Sequence, residues 1–412
     1  MHPMVKPALR RGWRDLNTVQ FGMTPAHAVT LGPVDTATGS FLDLLDGTRG
    51  LGLLREEGRR MHLPDGHVDQ LVGRLARAGL LDDARGGGPD AAALREKTEV
   101  VDRLRPDLAS LSLTTSAPGD AIGRLAARRR MRVQVRGAGR VGSVLAALLS
   151  GAGVGEVDVR DGGLVEPGDV APGGLPADAV GERREAAARR AVCRAAPGRP
   201  PRRSTRSPAE ADAPGFSLVI ITPRDDVSVH APAPPAAEPL IASGTPHLHA
   251  GVVEATGVVG PLVLPGETGC GGCLQQARTD RDATWPRLVA QWQSGRRRPV
   301  QACDLALATT VAGLAAAHAL AFLDGLVPSS AGARWEVSLP TLHWHARPVW
   351  PHSACPCGAA KKGEKQGQEK GKQEHTPEDG GSHATMAGHR HSKELRRTTV
   401  AARQAGTWRA HV

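Results

Sequence analysis

Two spacings of apolar residues divide the chain. Between residues 18 and 83 the apolar positions recur at helical spacing, most clearly from Val68 to Leu75, and Asp65 is the predicted cap of that helix. A short apolar run at 28–31 predicts a strand. We therefore predict a small winged-helix-like domain over residues 18–83, with a three-helix cap as the alternative.

From residue 131 onward, strand-like apolar runs alternate with helix-like runs. Strands are predicted at 132–135, 156–159, 216–221 and 248–253, and helices at 141–149, 179–195 and 305–323. This alternation is typical of a parallel sheet that is covered by helices. We therefore predict an α/β domain over residues 131–358.

The remaining segments contain few apolar residues. We expect an N-terminal arm at 1–17, a linker with connecting elements at 84–130, and a disordered basic tail at 359–412, where Lys, Gln, Glu, Gly and His dominate. The longest apolar run, 305–323, includes Thr309, Thr310 and His318, so we interpret it as a packed helix rather than a membrane span. Because the first residues have no secretory pattern, we expect a soluble cytoplasmic protein without a membrane partner.

Charge changes this picture only slightly. The 412 residues carry a formal net charge of +10, and many of the basic residues lie in the tail and in the segment 183–206. A nucleic-acid surface is one interpretation of such clusters. Aromatic residues make up only 3% of the chain and do not interleave with these charges. Solvated surface charge is therefore the favoured interpretation.

A glycine-rich turn follows the first strand of the α/β domain. Residues 135–142 read VRGAGRVG, in which Gly137 permits a tight turn, Gly139 lets the backbone approach a phosphate, and Gly142 lets the helix pack on the strand. Asp161 ends the second strand, where a carboxylate can bind a ribose hydroxyl. This pattern predicts a Rossmann-like nucleotide-binding fold, although glycines in such a loop can also serve packing alone.

Four of the six cysteines form two close pairs. Cys270 and Cys273 are separated by two glycines, and Cys355 and Cys357 by one proline. Paired thiolates of this kind bind tetrahedral Zn²⁺, and unmetallated thiols are the alternative. We expect His352 to be exposed rather than a ligand. Two other cysteines remain: we expect Cys193 to lie in the core, and Cys303, before a long helix, to be buried and inert rather than a thioester nucleophile.

In this order, the glycine loop, Asp161 and the two cysteine pairs resemble the ThiF/MoeB ubiquitin-activating-like superfamily over about residues 130–358. The resemblance implies binding of ATP and Mg²⁺, a structural Zn²⁺, and adenylylation of the C-terminal carboxylate of a small carrier protein. It also allows a homodimer, which no residue pattern requires.

The stretch from Gly260 to Gly266, with the first cysteine pair and residues 280–286, is similar to ThiF-like cyclodehydratase or leader-peptide-binding proteins of azole-forming peptide biosynthesis. In these proteins an N-terminal winged-helix clamp grips the leader of a precursor peptide and presents its core to a YcaO partner. The resemblance therefore implies a precursor peptide and a YcaO-type protein as partners.

The chain departs from the superfamily pattern in the residues that handle phosphate and metal. Gly163 stands where a second aspartate is usual, and Asp169 and Pro172 stand where an asparagine and an arginine are usual. The resemblance assigns phosphate contact to Arg184, in the place of a lysine. The metal-binding aspartate that usually follows the third strand is replaced near Pro223 and Arg224. Asp225 and Asp226 lie just beyond, and either could bind Mg²⁺ or instead cap a loop.

These observations leave two functions open. The first is an ATP-dependent adenylyltransferase that acts on a peptide or carrier-protein carboxylate, with Arg184 and Asp225 in the catalytic site. The second is a catalytically inactive scaffold, in which residues 18–83 bind a leader peptide for a YcaO-type cyclodehydratase. A nicotinamide-dependent oxidoreductase shares the glycine fingerprint, but the cysteine pairs disfavour it.

Overall fold

The computed structural model describes residues 1–198, 215–294 and 300–360. The predicted tail, 359–412, lies outside the described residues from residue 361 onward, and so does the Pro- and Arg-rich segment 199–214. The chain divides into two compact units. The first consists of Met1–Ala84 and Ser112–Pro118, and the second of Arg85–Leu111 and the chain from Gly119 onward.

The first unit combines small antiparallel sheets with three α-helices. Its strands are β1 (Pro3–Val5), β2 (Arg11–Asp15), β3 (Thr18–Phe21), β4 (Val29–Leu31) and β5 (Leu81–Asp83), and its helices are α1 (Thr36–Phe41), α2 (Leu51–Arg60) and α3 (His67–Arg77). Strands β2, β3 and β4 form one sheet in that order, and β1 pairs with β5. Three helices on a three-stranded sheet are the elements of a winged helix.

Local sequence explains where these elements begin. Asp35 caps α1 by accepting a hydrogen bond of 2.7 Å from the Thr38 amide. Gly66, with a φ of +76°, caps α3, so the prediction of Asp65 as the cap was wrong by one residue. A left-handed backbone at that point suits glycine better than aspartate. Strands β1 and β2 lie within residues 1–17, the segment that we expected to be an arm.

The second unit begins with helices. These are α4 (Gly88–Arg95), α5 (Thr98–Arg103), α6 (Arg105–Thr114), whose last residues fall in the first unit, and α7 (Asp120–Arg128). They occupy the segment from which we expected a linker with connecting elements. A buried ion pair fixes the end of α7, because Arg128 Nε donates to Asp324 Oδ1 at 2.6 Å. Both side chains are less than a tenth exposed.

The α/β part of the second unit is built on a seven-stranded sheet. Its strands are β6 (Arg132–Arg136), β7 (Glu156–Arg160), β8 (Leu218–Ile221), β9 (His247–Val253), β10 (Thr256–Val263), β11 (Ala333–Ser338) and β12 (Trp344–Pro348). Its helices are α8 (Arg140–Gly151), α9 (Arg184–Ala195), α10 (Asp226–His230), α11 (Pro234–Ala242), α12 (Gly271–Arg281), α13 (Trp285–Ser294) and α14 (Leu305–Leu323). The strand order is β12-β11-β10-β9-β8-β6-β7.

Strands β7, β6, β8 and β9 run parallel, and β9 to β12 run antiparallel. The parallel half confirms the predicted α/β fold with a Rossmann-like arrangement. It also brings the residues that follow β6, β7 and β8 to one edge of the sheet, which is where α/β proteins bind ligands. The glycine loop, Asp161 and the segment 222–226 therefore share this edge.

Helix α14 is the central core helix of this unit. By length and composition alone it could cross a membrane. Its small residues, among them Ala312 and Ala315, are fully buried in the cluster that contains Leu145 and Leu248. The prediction of a packed helix at 305–323 agrees with this burial.

Candidate nucleotide site and cysteine cluster

The glycine loop has the backbone geometry that its sequence predicts. Gly137 has a φ of +106°, and a Cβ atom there would lie 1.9 Å from the carbonyl oxygen of Thr222. Gly139 is the N-cap of α8. A Cβ atom on Gly142 would lie 2.1 Å from the oxygen of Gly137. Glycine is therefore required at 137 and 142 by packing within the chain, whether or not a phosphate binds.

Asp161 lies beside this loop, as predicted, and both of its carboxylate oxygens are engaged by the chain. Oδ2 accepts a hydrogen bond of 2.8 Å from the Ala138 amide, and Oδ1 accepts one of 2.9 Å from the Gly163 amide. The guanidinium of Arg184 lies 3.5 Å from Oδ1. The side chain of Asp161 is nearly buried, and in this arrangement it stabilises the loop.

Arg184 is brought to the site as the resemblance implies, but it is buried. Its Nε donates a hydrogen bond of 2.8 Å to the carbonyl oxygen of Leu164, and it lies 3.6 Å from Asp169. Gly163 makes room for it, because a Cβ atom there would lie 1.8 Å from Nη2. The glycine at 163 therefore has a packing reason: it admits the arginine that pairs with Asp161.

Arg224 lies across the start of α8. Its Cγ atom is 2.8 Å from the position that a Cβ atom on Gly139 would take. Its Nε is 2.8 Å from Asp169 Oδ1, and its Nη2 donates to Glu166 Oε2 at 2.9 Å. Burial opposes the charge, but the two carboxylates raise the pKa of Arg224. The side chain thus bridges the loop after β8 and the turn at 166–169.

The two predicted metal carboxylates follow immediately. Asp225 caps α10 by accepting hydrogen bonds from the amides of Val227 and Ser228, at 3.2 and 3.0 Å. Burial, together with Asp225 and Glu254, raises the pKa of Asp226. In this arrangement Asp225 has the capping role that the sequence offered as its alternative.

The four paired cysteines meet in one cluster. Sγ–Sγ distances are 3.8 Å for Cys270–Cys273, 3.6 Å for Cys270–Cys355 and 3.5 Å for Cys273–Cys357, and all four sulfurs lie within 4.8 Å of one another. A tetrahedral zinc with Zn–S bonds of about 2.3 Å places its sulfurs about 3.8 Å apart. The cluster therefore fits zinc, as predicted from the two pairs.

Glycines make the first pair possible. A Cβ atom on Gly269 would lie 2.2 Å from the carbonyl oxygen of Val349, and one on Gly272 would lie 3.0 Å from the Cys355 sulfur. His352 is not among the four ligand residues: its amide donates to Cys273 Sγ at 3.4 Å, and its Nε2 lies 2.8 Å from Asp280. His352 therefore links the loop that carries the second cysteine pair to Asp280 in α12, the helix that follows the first pair.

The two remaining cysteines lie outside this cluster. Cys193 is exposed, so the expectation that it belongs to the core was wrong. The buried face of α9 is formed by Ala187, Ala188, Ala191 and Val192, and residue 193 points away from it. Burial raises the pKa of Cys303, despite the opposing charge of Arg140. A raised thiol pKa agrees with an inert cysteine rather than with a thioester nucleophile.

The first unit has its own candidate surface. A cleft of about 380 Å³ lies between the outer strand β2 and helix α1, and Trp13, Leu16 and Asp15 line one side of it. Trp13 is half exposed and Leu16 almost fully exposed. Outer strands can add a further strand from a peptide, and flanking clefts then take its side chains.

The described structure therefore defines an α/β protein of the nucleotide-binding type with a four-cysteine cluster. The chain belongs to the ThiF family, because the model of that family matches residues 121–359, more than half of its length. This confirms the resemblance to the ThiF/MoeB superfamily. A search of curated protein sequences gives no significant match.

Solved structures share this fold. MccB of E. coli with succinimide is 14% identical with a TM-score of 0.62, and the match covers 87% of this chain and 99% of MccB. The same enzyme with ATP has a TM-score of 0.60, at 14% identity and 87% and 99% coverage. The heterocyclase TruD is 17% identical with a TM-score of 0.56, and the match covers 89% of this chain but 44% of TruD. At these identities the likeness shows the fold alone.

Sequence reasoning located the loop, Asp161, Arg184 and the cysteines, but it missed the role of Arg224 and its partner Glu166. The signal was available in part, since Arg224 follows a parallel strand at the ligand-binding edge of the sheet. Its partner lies 58 residues earlier in the chain. Only the fold shows that they meet.

Proposed function

We propose that this protein is a catalytically inactive, peptide-binding ThiF-family scaffold that presents a precursor peptide to a YcaO-type cyclodehydratase. One observation carries the proposal. At the ligand-binding edge of the sheet, Asp161, Arg184 and Asp225 all hold parts of their own chain, and Arg224 covers Gly139. Adenylyl transfer needs free groups there to neutralise the phosphates and to hold a metal.

The first unit supplies the peptide-binding part of the proposal. Its outer strand β2 and the cleft beside Trp13 offer backbone groups and apolar surface to an extended peptide. Structures of MccB in complex with N-formylated MccA support such a partner for this fold. The carboxylates of Asp15 and Asp43 line the same cleft with Arg11, which pairs with Asp43. Asp15 accepts a hydrogen bond of 2.8 Å from the Asn17 amide, and its negative charge would favour a basic residue of the peptide.

The fold shared with the heterocyclase TruD supports a role beside heterocycle-forming chemistry. Nearly all of this chain matches less than half of that heterocyclase. A YcaO-type protein is the partner class that the proposal names, and both proteins would act in the cytoplasm.

Zinc has a structural place in this scheme. Cys270, Cys273, Cys355 and Cys357 would hold the ion with all four of its positions filled by sulfur. A closed site of this kind stabilises folding and activates no water. The ion would tie the start of α12 to the loop after β12.

Adenylylation of a peptide or carrier-protein carboxylate is the second candidate. The glycine loop favours it, because Gly137 and Gly139 retain the geometry with which a backbone approaches a phosphate. In this candidate ATP and Mg²⁺ bind at the loop, with Arg184 at a phosphate and Asp225 at the metal. Both side chains must first leave the contacts they have here.

Selection of a displayed library of linear peptides against the full chain tests the proposed function. We expect enriched peptides to bind in the absence of ATP, and to bind at least tenfold more weakly to a variant with Trp13→Ser and Leu16→Ser. Leu342→Ser, at an apolar residue of the second unit that is about as exposed as Trp13, is the control. Failure to enrich any sequence, or equal binding to all three proteins, would contradict the proposal.

A further inference from the structure

Arg224 stands out among the residues around the glycine loop, because it contacts the loop from outside. Three atoms of its side chain, Cγ, Cδ and Nε, lie 2.8, 3.2 and 3.5 Å from the Cβ position built on Gly139. In glycine loops of this type, the missing side chain at the second glycine is what lets the backbone approach a phosphate. Here the stem of Arg224 takes up that space.

The charged end of Arg224 is anchored on the far side of the loop. Asp169, which is almost fully buried, lies 2.8 Å from Nε, and Glu166 accepts from Nη2 at 2.9 Å. Asp169 is itself held in place, because its Oδ2 accepts a hydrogen bond of 2.9 Å from the Glu166 amide. The arginine therefore runs from one loop to a fixed acidic turn, with Gly139 beneath it.

The arrangement pairs two buried or half-buried charges, Arg224 and Asp169, although the buried Nε of Arg224 has no hydrogen bond of good geometry. Displacement of Arg224 would take one of two arginines away from the buried carboxylate of Asp169 and leave it with Arg184 and the Glu166 amide, which is unfavourable. A phosphate that approaches Gly139 must displace the stem of Arg224, and it would also bring negative charge towards Glu166 and Asp169. Steric overlap is therefore the main barrier to the phosphate, because the charge of Arg224 offsets part of the repulsion from the two carboxylates.

We infer that Arg224 is a built-in strap that keeps the glycine loop closed to nucleotide phosphates. This inference rests on the proposed function and deepens it, since it names the residue that separates this chain from a nucleotide-binding protein. The side chain of Arg224 determines whether a phosphate can reach Gly139, and the glycine loop itself keeps its backbone conformation. Removal of the side chain should therefore create a measurable affinity for a nucleotide.

Calorimetric titration of the full chain with ATP, with and without Mg²⁺, tests the inference. Arg224→Ala removes the strap, and Glu166→Gln loosens its distal anchor at a residue that is 58% exposed. The matched control is Arg132→Ala, which removes an arginine that pairs with Glu156 at the opposite end of β6. Thermal melts verify that each variant is folded.

We expect Arg224→Ala to bind ATP at least tenfold more tightly than the wild type, Glu166→Gln to give a smaller gain, and the control to give none. If folded Arg224→Ala and Glu166→Gln bind ATP with the same affinity as the wild type, the inference that Arg224 closes the loop is wrong, while the proposed scaffold function would stand. Weaker binding in Arg224→Ala would also overturn the inference, because Arg224 would then be a phosphate ligand. If Arg224→Ala does not fold, Glu166→Gln alone decides between these results.

The proposed function has a separate readout. Exchange of labelled pyrophosphate into ATP by the wild-type chain, assayed with a selected peptide that has a free C-terminal carboxylate, would refute the inactive scaffold, whatever the affinities of the variants. Absence of exchange together with a gain in Arg224→Ala supports both statements. The two ideas can therefore fail independently.

Discussion

A single added methyl group at Gly142 should test whether the glycine loop is packed as described. In Gly142→Ala the new Cβ atom would lie 2.1 Å from the Gly137 oxygen and 2.4 Å from Thr222 Oγ1, in place of an ordinary contact of about 3.5 Å. Alanine is favoured over glycine inside a helix by about 1 kcal/mol. The overlap opposes this gain, since over-packing costs about 1–3 kcal/mol.

The overlap would also disrupt a hydrogen bond. Thr222 Oγ1 donates to the Gly137 oxygen at 2.9 Å, and the methyl group would enter between the helix and this pair. Loss of that bond adds about 1 kcal/mol. We therefore expect Gly142→Ala to lower the free energy of unfolding by about 1–3 kcal/mol after the gain in helix propensity is included.

Urea denaturation followed by circular dichroism measures this change. Gly313→Ala in α14 is the matched control, because a Cβ atom at that helical position meets nothing within 4 Å. We expect the control to be stabilised by up to about 1 kcal/mol. If Gly142→Ala were stabilised as much as Gly313→Ala, the close approach of α8 to the strand ends would be wrong.

Three further predictions concern the second unit. Burial lowers the pKa of His249 to about 3, well below its unfolded value of about 6.5, so its contribution to stability is complete above pH 6.5 and is lost as the pH falls towards 3. Denaturation of His249→Leu at several pH values should therefore give a free energy of unfolding that rises less steeply with pH than in the wild type, by about 1.4 kcal/mol per pH unit between pH 4 and 5.5. The same dependence on pH in both proteins would contradict that burial. Arg128→Met should cost about 3–5 kcal/mol in chemical denaturation, because it leaves Asp324 buried and unpaired, and a second change, Asp324→Leu, should recover much of the loss. Elemental analysis should find one zinc per chain, which Cys273→Ser abolishes and Cys193→Ser, at the exposed cysteine, retains; metal retained in Cys273→Ser would argue against the four-cysteine site.

Local patterns were sufficient to predict the elements that carry their own signal. The glycine loop was predictable because Gly137, Gly139 and Gly142 stand at fixed spacing between a strand and a helix. The first cysteine pair was predictable for the same reason, since Cys270 and Cys273 can bind one ion from a single turn. The parallel order of β6, β7 and β8 followed from the alternation of strand and helix.

Long-range contacts were not predictable, and they change the interpretation of the site. Asp161 was predicted to bind a ribose hydroxyl, and the structure adds contacts from the amides of Ala138 and Gly163 and the guanidinium of Arg184. A single sequence does not show which side chain a carboxylate will meet across the fold. Cys193 shows the same limit within a helix, because one position separates the buried face from the exposed one.

The pairing of Arg224 with Asp169 and Glu166 is the clearest example. Sequence comparison with the superfamily pattern treats Asp169 and Arg224 as two separate losses. In the structure they lie 2.8 Å apart, and together they close the place where a phosphate would approach. The two departures are therefore one feature.

Calorimetric titration of the wild-type chain with Mg·ATP tests the central claim most directly. The claim is that the fold of a nucleotide-binding protein is retained here while its phosphate site is closed. We predict no saturable heat up to millimolar ATP, in the wild type and in Gly139→Val alike. Clear binding by the wild type that disappears in a folded Gly139→Val variant would contradict the claim and would make adenylylation the better account of the protein.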